Sequence, residues 1–321
     1  MHHKKLISII VPAFNEGNVL YTCHNRLVDV FDNIDNYNYE IIFVNDGSTD
    51  ETSLVINNIC LSNPLTVGIN LSRNFGKEIA MTAGLDASKG DAVIILDADL
   101  QDPPEMIPTF ITAWEDGFDI VYGKRISREG ESWVKKITAK IFYKVIRKIS
   151  NVNIPADTGD FRLMSRRSVN ELIRLREHHR FMKGMFAWIG FPSKAIQYNR
   201  NPRESGISKF NYWKLWNFAI EGFSSFSTAP LKLATYIGLV IAAASFMAGL
   251  WFLIKTLTYG EEIKGFPTLI ITILFIGGTQ ITFIGILGEY LGRIFGEVKN
   301  RPLYIVQDII RNSSVESKET N

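Results

Sequence analysis

The sequence predicts an α/β protein built on a mostly parallel sheet, followed by helices lying at a membrane surface and a hairpin of two membrane-spanning helices. Three observations predict it. Over the first 125 residues, short runs rich in Ile and Val alternate with longer mixed segments, a pattern that argues for parallel strands joined by helices on both faces. Two later stretches, about 233–257 and about 266–295, carry at most one or two charges each, and each exceeds the roughly 20 residues a helix needs to cross a bilayer core. The 46% hydrophobic content is high for a soluble enzyme, and the excess sits in those two stretches.

Taken in order, LISIIVPA, YEIIFV, LTVGINLS, DAVIILDA and FDIVYG read as strands, with helices starting near Asn18, Thr49, Gly76 and Pro104. Ser48-Thr49-Asp50-Glu51 has the form of a capping box, in which Ser48 and Glu51 satisfy backbone N–H groups. Asp102 before Pro103 and Pro104 reads as an acidic N-cap. These elements belong to a cytosolic domain over 1–210. Within it WVKKITAKIFYKVIRKIS, residues 133–150, has six Lys or Arg and no acid, with Val134, Ile137, Ile141, Val145 and Ile149 on one helical face. Such a helix lies at the headgroups, apolar side down. Residues 211–229, with Trp213, Trp216, Phe218 and Phe223, read as a second interfacial helix. The two spans fill 230–298, and 299–321 is a cytosolic tail whose last ten residues are polar enough to be disordered.

The amino terminus has only about six apolar residues before Pro12, too few for a signal peptide. Lysines before the first span and basic residues after the second, against Glu261 and Glu262 in the connector, place both termini and the large domain on the cytosolic side of the inner membrane. Two cysteines, Cys23 and Cys60, form no framework of disulfides or metal ligands, as a reducing compartment requires. No nucleic-acid partner is expected of a net charge of +2. Gly288, Gly292 and Gly296 recur every four residues in the second span. That spacing suits close helix approach, either between copies in a homo-oligomer or between the two spans.

In an open parallel sheet, ligands bind outside the carboxyl ends of the strands. There the first strand ends in Pro12, Asn15 and Glu16, the second in Asn45, Asp46 and Gly47, and the fourth in Asp97, Asp99 and Gln101. Acids gathered on one rim repel unless a cation joins them. Asp97, Asp99 and Gln101, spaced i, i+2, i+4, share a face in extended chain and offer oxygens to a hard cation, Mg²⁺ or Mn²⁺, whose shell phosphate oxygens would complete. No Gly-x-Gly-x-x-Gly follows the first strand, and GINLSRNFGKE has Glu78 where a phosphate loop needs Ser or Thr.

IIVPAFNE, VNDGSTDET, LSRNFGKE, ILDADLQDPP, DTGDFRLMSR and RESGISKF stand in the order found in family 2 glycosyltransferases of the GT-A fold, which the chain resembles over roughly residues 6–310. More narrowly, with its two spans, it is similar to the polyprenyl-phosphate hexosyltransferases, above all the bactoprenol glucosyltransferases of O-antigen modification, which are related to the dolichol-phosphate mannosyltransferases. The resemblance implies a Rossmann-like GT-A domain, a nucleotide-sugar donor and a polyprenyl phosphate acceptor. It implies that Pro12, Asn15, Glu16 and Asp46 hold base and ribose, that Asp97, Asp99 and Gln101 hold the metal on the donor diphosphate, and that Arg203, Ser208 and Lys209 lie on a loop closing over the phosphates.

Asp157 is the expected base or orienting group, with Asp160 the alternative, and Arg125, Arg162, Arg203 and Lys209 are the basic groups available to an acceptor phosphate. The function expected is inverting transfer of glucose from UDP-glucose to undecaprenyl phosphate. A GDP-mannose-using mannosyltransferase and a noncatalytic nucleotide-sugar-binding scaffold are the alternatives. A processive polysaccharide synthase is set aside because the chain has no Gln-x-x-Arg-Trp and too few spans.

Overall fold

A computed structural model describes residues 4–126, 158–178, 180–198, 265–312 and scattered helical positions between 236 and 258. It comprises two units, one of residues 1–219 with 302–321, the other of 220–301. In the first, strands β1 (Lys5–Ala13), β2 (Tyr37–Asn45), β3 (Thr66–Leu71) and β4 (Ala92–Ile95) are the four expected near the amino terminus, and β5 (Ile120–Arg125) is the fifth. Three more join them: β6 (Thr158–Ser165), β7 (Ser193–Tyr198) and β8 (Val306–Ile310). The order is β7-β5-β6-β4-β1-β2-β3-β8. The central run β4-β1-β2-β3 is parallel throughout, while β6 and β8 run antiparallel to their neighbours.

The apolar runs are explained by cover on both faces. Ile7, Ile9, Val11 and Ala13 of β1 point into one core with Leu20, Cys23, Leu27 and Phe31 of helix α1 (Gly17–Asp32), Val55, Ile56 and Ile59 of α2 (Thr52–Ser62), and Phe110 and Ile111 of α4 (Ile107–Glu115). The α1 residues recur at three and four, the spacing of one helical face. On the opposite face, α3 (Lys77–Ala87) packs so closely on β1 that a Cβ at Gly84 would lie 2.3 Å from Cγ2 of Ile10. Each such fully buried Ile contributes about 1.5–3 kcal/mol by leaving water. Helices α5 (Arg166–Arg174) and α6 (Met182–Trp188) complete the described part of this unit.

Three expectations are corrected. The capping box of Ser48 and Glu51 is not formed: α2 starts at Thr52, Glu51 makes no cap bond, Ser48 Oγ is drawn to the Asn15 N–H, and it is Asp50 Oδ1 that accepts the Thr52 N–H at 3.0 Å. Asp102 caps nothing; it is fully buried and receives the hydroxyl of Tyr198. Asp97, Asp99 and Gln101 do not lie in extended chain, since β4 stops at Ile95 and Leu100 has φ of 56°. Exposure nonetheless alternates as in a strand, with Ala98 and Leu100 buried and the three polar residues half-buried. Within the tail, ahead of its last ten residues, β8 pairs with β3 from Gly68 to Leu71.

In the second unit, α7 (Phe266–Val298) is one unbroken helix of 33 residues. A Cβ on Gly238 would meet the ring of Phe283 at 3.3 Å, whereas nothing among the described residues stands within 4 Å of one on Gly288 or Gly292. Among the described residues no helix is long and apolar enough to cross a membrane. The expected interfacial helices 133–150 and 211–229, and most of the first expected span, lie outside the described residues.

Gly84→Ala is expected to destabilise the protein by about 1–2 kcal/mol, the overpacking against stiff Ile10 outweighing the better helix propensity of Ala. A lowered thermal midpoint of the purified protein checks it.

Candidate active site

The carboxyl ends of the parallel strands and the start of antiparallel β6 meet on one rim. Two loops there are sewn together. Asn15, whose φ of 55° turns the chain out of β1, donates its N–H to Ser48 Oγ at 2.9 Å and accepts the Thr49 N–H on Oδ1 at 2.9 Å. Glu16 N–H reaches Thr52 Oγ1 at 2.9 Å, and Gly17 N–H reaches Asp50 Oδ2 at 3.3 Å. Gly47, at φ of 63°, sits so close to the Arg73–Asn74 backbone that a Cβ would fall 2.3 Å from it, so the turn after β2 admits only glycine. Beside it Asp46 is buried, its two oxygens accepting the N–H groups of Phe75 and Gly76 at 2.7 and 2.9 Å. Burial pushes its carboxyl up, against the pull of those amides. Pro12 is buried in β1, and Asn15 and Glu16 are half-buried on the loop.

The charged centre lies next along the rim. Lys77, first residue of α3, extends its ammonium between two carboxylates, 2.5 Å from Asp160 Oδ2 and 2.6 and 2.8 Å from the oxygens of Asp97. Although 44% of the Lys77 side chain is exposed, the ammonium itself is desolvated. That burial works against its charge, but the two acids outweigh it and raise its pKa. Asp97 is pushed up by burial, with Asp160 and Asp102 adding to the effect and Lys77 opposing it. For Asp160 burial also acts upward, yet Lys77, Lys183 and Arg162 win and hold it well below the usual carboxylate range. One cation thus serves two acids, and it does so incompletely: Oδ1 of Asp160 is buried without a hydrogen bond, and Oδ1 of Asp97 has the ion pair to Lys77 but no well-aligned hydrogen bond. Asp99 and Gln101 follow on the turn, where Gln101 N–H donates to Asp99 Oδ1 at 3.2 Å.

Behind this centre, Arg162 is buried opposite Ile95 of β4. Its guanidinium donates to the carbonyls of Gly159 and Asp160 at 2.9 and 3.2 Å and stacks 3.4 Å from the Phe186 ring. Burial pulls its pKa down to about 10. With Tyr122, Thr158, Lys183 and Phe191 it lines a cavity of about 210 Å³. Arg125 points to a different partner, the buried Asp102 at 3.6 Å, with Tyr198 OH at 3.4 Å from its Nε. Glu78 accepts the Met182 N–H at 3.0 Å, and burial together with the charge of Asp160 pushes it up to about 7.

The expected residues Pro12, Asn15, Glu16, Asp46, Asp97, Asp99, Gln101 and Asp160 therefore share this rim, with Arg162 beneath it and Arg125 committed to Asp102. Asp157, Arg203, Ser208 and Lys209 lie outside the described residues. Lys77 and Tyr198 were not anticipated. Lys77 stood in the quoted run LSRNFGKE, where its adjacency to Glu78 was the only signal; nothing near Tyr198 in the sequence marks it.

The donor set fits a divalent cation. Oδ1 of Asp160 is buried without a hydrogen bond, Oδ1 of Asp97 is held only by the ion pair to Lys77, and Asp97 is destabilised as an anion. Among the described residues no cluster of three or more His, Cys, Asp or Glu could hold an ion unaided, but Mg²⁺ is commonly held by one or two carboxylates plus substrate phosphates.

Comparison with known proteins identifies the family. Residues 8–173 match the model of glycosyl transferase family 2, and residues 229–294 match the GtrB C-terminal hairpin. The SfII prophage-derived bactoprenol glucosyl transferase of Shigella flexneri is 49% identical over 301 residues, covering 94% of this chain and 97% of its own. The uncharacterized glycosyltransferase sll0501 of Synechocystis is 49% identical over 303 residues, covering 94% and 95%. Among solved structures, glucosyl-3-phosphoglycerate synthase from Mycobacterium tuberculosis, in complex with Mn²⁺ and UDP-glucose, aligns with a TM-score of 0.46 at 18% identity over 67% of this chain and 76% of that one.

The raised Glu78 sets a pH dependence. Its folded value of about 7 exceeds the ordinary 4.5, so its contribution to stability is complete below about pH 4.5 and is lost as pH rises through 7. Glu78→Gln keeps an acceptor for Met182 N–H and is expected to lose less thermal stability than wild type between pH 5 and pH 8, as parallel melts will read.

Proposed function

The chain belongs to glycosyltransferase family 2, and on that premise we propose that it transfers glucose from UDP-glucose to undecaprenyl phosphate, with inversion, at the cytosolic face of the membrane. The observation that carries the reading is the convergence of Asp97 and Asp160 on Lys77 at the carboxyl rim of the sheet, beside the loops at Asn15 and Asp46. Near full-length similarity to proteins named bactoprenol glucosyl transferase supports the glucosyl group and the lipid acceptor. The match to the GtrB hairpin and the two apolar stretches support a membrane location for 230–298, and the spacing of Gly288 and Gly292, against which nothing among the described residues stands, supports self-association there.

In this reading the loops at Pro12, Asn15, Glu16 and Asp46 hold the nucleotide. Asp97, Asp99 and Gln101 would hold Mg²⁺ or Mn²⁺, which when bound neutralises charge on the departing diphosphate. Lys77 adds a fixed positive charge at the same place. Asp160, held ionised, positions Lys77 and is a poor proton acceptor. A phosphate monoester needs no strong base, since its second pKa near 6 leaves it mostly dianionic at neutral pH. Arg162 and Lys183, with Arg203 and Lys209, supply the positive charge that aligns the acceptor, and Ser208 adds a hydroxyl donor.

Membranes containing the protein, incubated with labelled UDP-glucose and undecaprenyl phosphate, are expected to yield an organic-extractable glycolipid that a chelator abolishes. Product from GDP-mannose in place of UDP-glucose would reassign the donor; donor binding with no product from any donor or metal would leave only a scaffold. Asp99→Asn is expected to cut turnover about 100-fold or more, the scale of losing one transition-state charge contact, and undiminished metal-dependent turnover would remove Asp99 from the metal site.

A further inference from the structure

Three polar side chains run across the sheet at its nucleotide end, and they link the tail to the proposed donor loop. Asn45 on β2, Asn70 on β3 and Asp308 on β8 stand opposite one another in register. Asn70 Nδ2 donates to Asp308 Oδ1 at 2.6 Å, Asn45 Nδ2 donates to Asn70 Oδ1 at 2.9 Å, and Ser48 N–H donates to Asn45 Oδ1 at 3.0 Å. Ser48 Oγ in turn receives the Asn15 N–H. Asn45 and Asn70 are buried.

The direction of the relay is set at its outer end. A carboxylate only accepts, whereas an amide can turn end for end and present either group. Asp308 therefore fixes the NH₂ of Asn70 outward and its oxygen inward. That oxygen fixes Asn45 with its own oxygen toward the turn, where it meets the Ser48 N–H. Were Asn70 to turn over, Asn45 would turn with it and set its NH₂ against the Ser48 N–H, two donors face to face.

We propose that Asp308 is a positioning residue for donor binding: through Asn70 and Asn45 it holds the 45–49 loop, and with it Asn15, in the shape that receives the nucleotide. The inference rests on the reading of this rim as a nucleotide-sugar site. It assigns to the segment after the apolar hairpin a part in catalysis that its polar, tail-like sequence does not suggest.

The test compares full-length wild type with Asp308→Leu, which removes the acceptor, and Asp308→Asn, which keeps a carbonyl oxygen to offer Asn70. Asp308→Ala, which adds no bulk, is a second acceptor-free variant should the Leu form not accumulate. KM for UDP-glucose is expected to rise about 3- to 10-fold in Asp308→Leu, the range one hydrogen bond sets, with kcat within about twofold. Asp308→Asn is expected to stay near wild type. Tyr304→Phe, which frees the tail from Asp86, where the Tyr304 hydroxyl donates at 2.7 Å, is expected to lower thermal stability and leave KM unchanged.

An unchanged KM in the acceptor-free variants overturns the proposal, as does an equal rise in Asp308→Asn, which would point to charge alone, or in Tyr304→Phe, which would point to general loosening. Calorimetric titration with UDP reads the same ratios without turnover. Binding without transfer would thus sink the proposed reaction while leaving the relay tested, and wild type that neither binds nor turns over would overturn both.

Discussion

The repulsion between acids at the end of an apolar strand is the constraint on which the site depends. Asp97 follows β4 and Asp160 is the third residue of β6, and the antiparallel pairing that sets Arg162 opposite Ile95 brings the two carboxylates to the same side of the rim. In a half-buried place neither can ionise freely beside the other. Lys77 resolves this by standing between them, and the outcome is uneven, with Asp160 held as an anion and Asp97 pushed toward protonation. An arrangement with one cation for two acids, and with Oδ1 of Asp160 buried without a hydrogen bond, is one that a further cation would stabilise.

The sheet makes this possible by rigidity. β1 is buried from Ile7 onward and flanked by parallel partners, so the loops that leave its end and that of β2 can be short and strained. Asn15 accepts a left-handed backbone and Gly47 a contact no other residue allows. These costs, of order 1–3 kcal/mol for a non-glycine outlier, are carried by the core beneath. The hydrogen bonds between the loops then convert two flexible turns into one surface.

Much of this was legible in the sequence. The five strands of the first 125 residues and their helices follow from runs such as VIIL, which only a doubly covered strand explains, and the acid-bearing loops follow from where parallel strands end. What escaped was whatever depends on distant pairing. β6 hid in DTGDFRLMSR because its acids and arginines mask the alternation. β8 hid because an edge strand of five residues with one half-buried position has almost no apolar pattern to show. Asp102 misled for a physical reason: Asp before Pro-Pro is a good cap, and only the approach of Tyr198 from β7, 96 positions away, makes it a buried anchor. The capping box failed similarly, since Ser48 has its partner in the loop at Asn15 and Asp50 takes the first N–H of α2.

The electrostatics also bear on which acceptor the site suits. Glycosyl transfer to a hydroxyl needs a base with a pKa near the working pH. Among the described residues on this rim, Asp160 is held far too low for that. Glu78 has a suitable value of about 7, but its carboxylate is turned to the Met182 N–H. An acceptor that arrives already ionised removes the requirement, and a phosphate monoester does so at neutral pH. It also gives Arg162 and Lys183 a use, because a dianion approaching a diphosphate donor must be met by fixed positive charge before it can reach the anomeric carbon. The fixed positive charge of Arg162 and Lys183 thus suits the phosphate acceptor proposed above, and the low pKa of Asp160 is no obstacle to it.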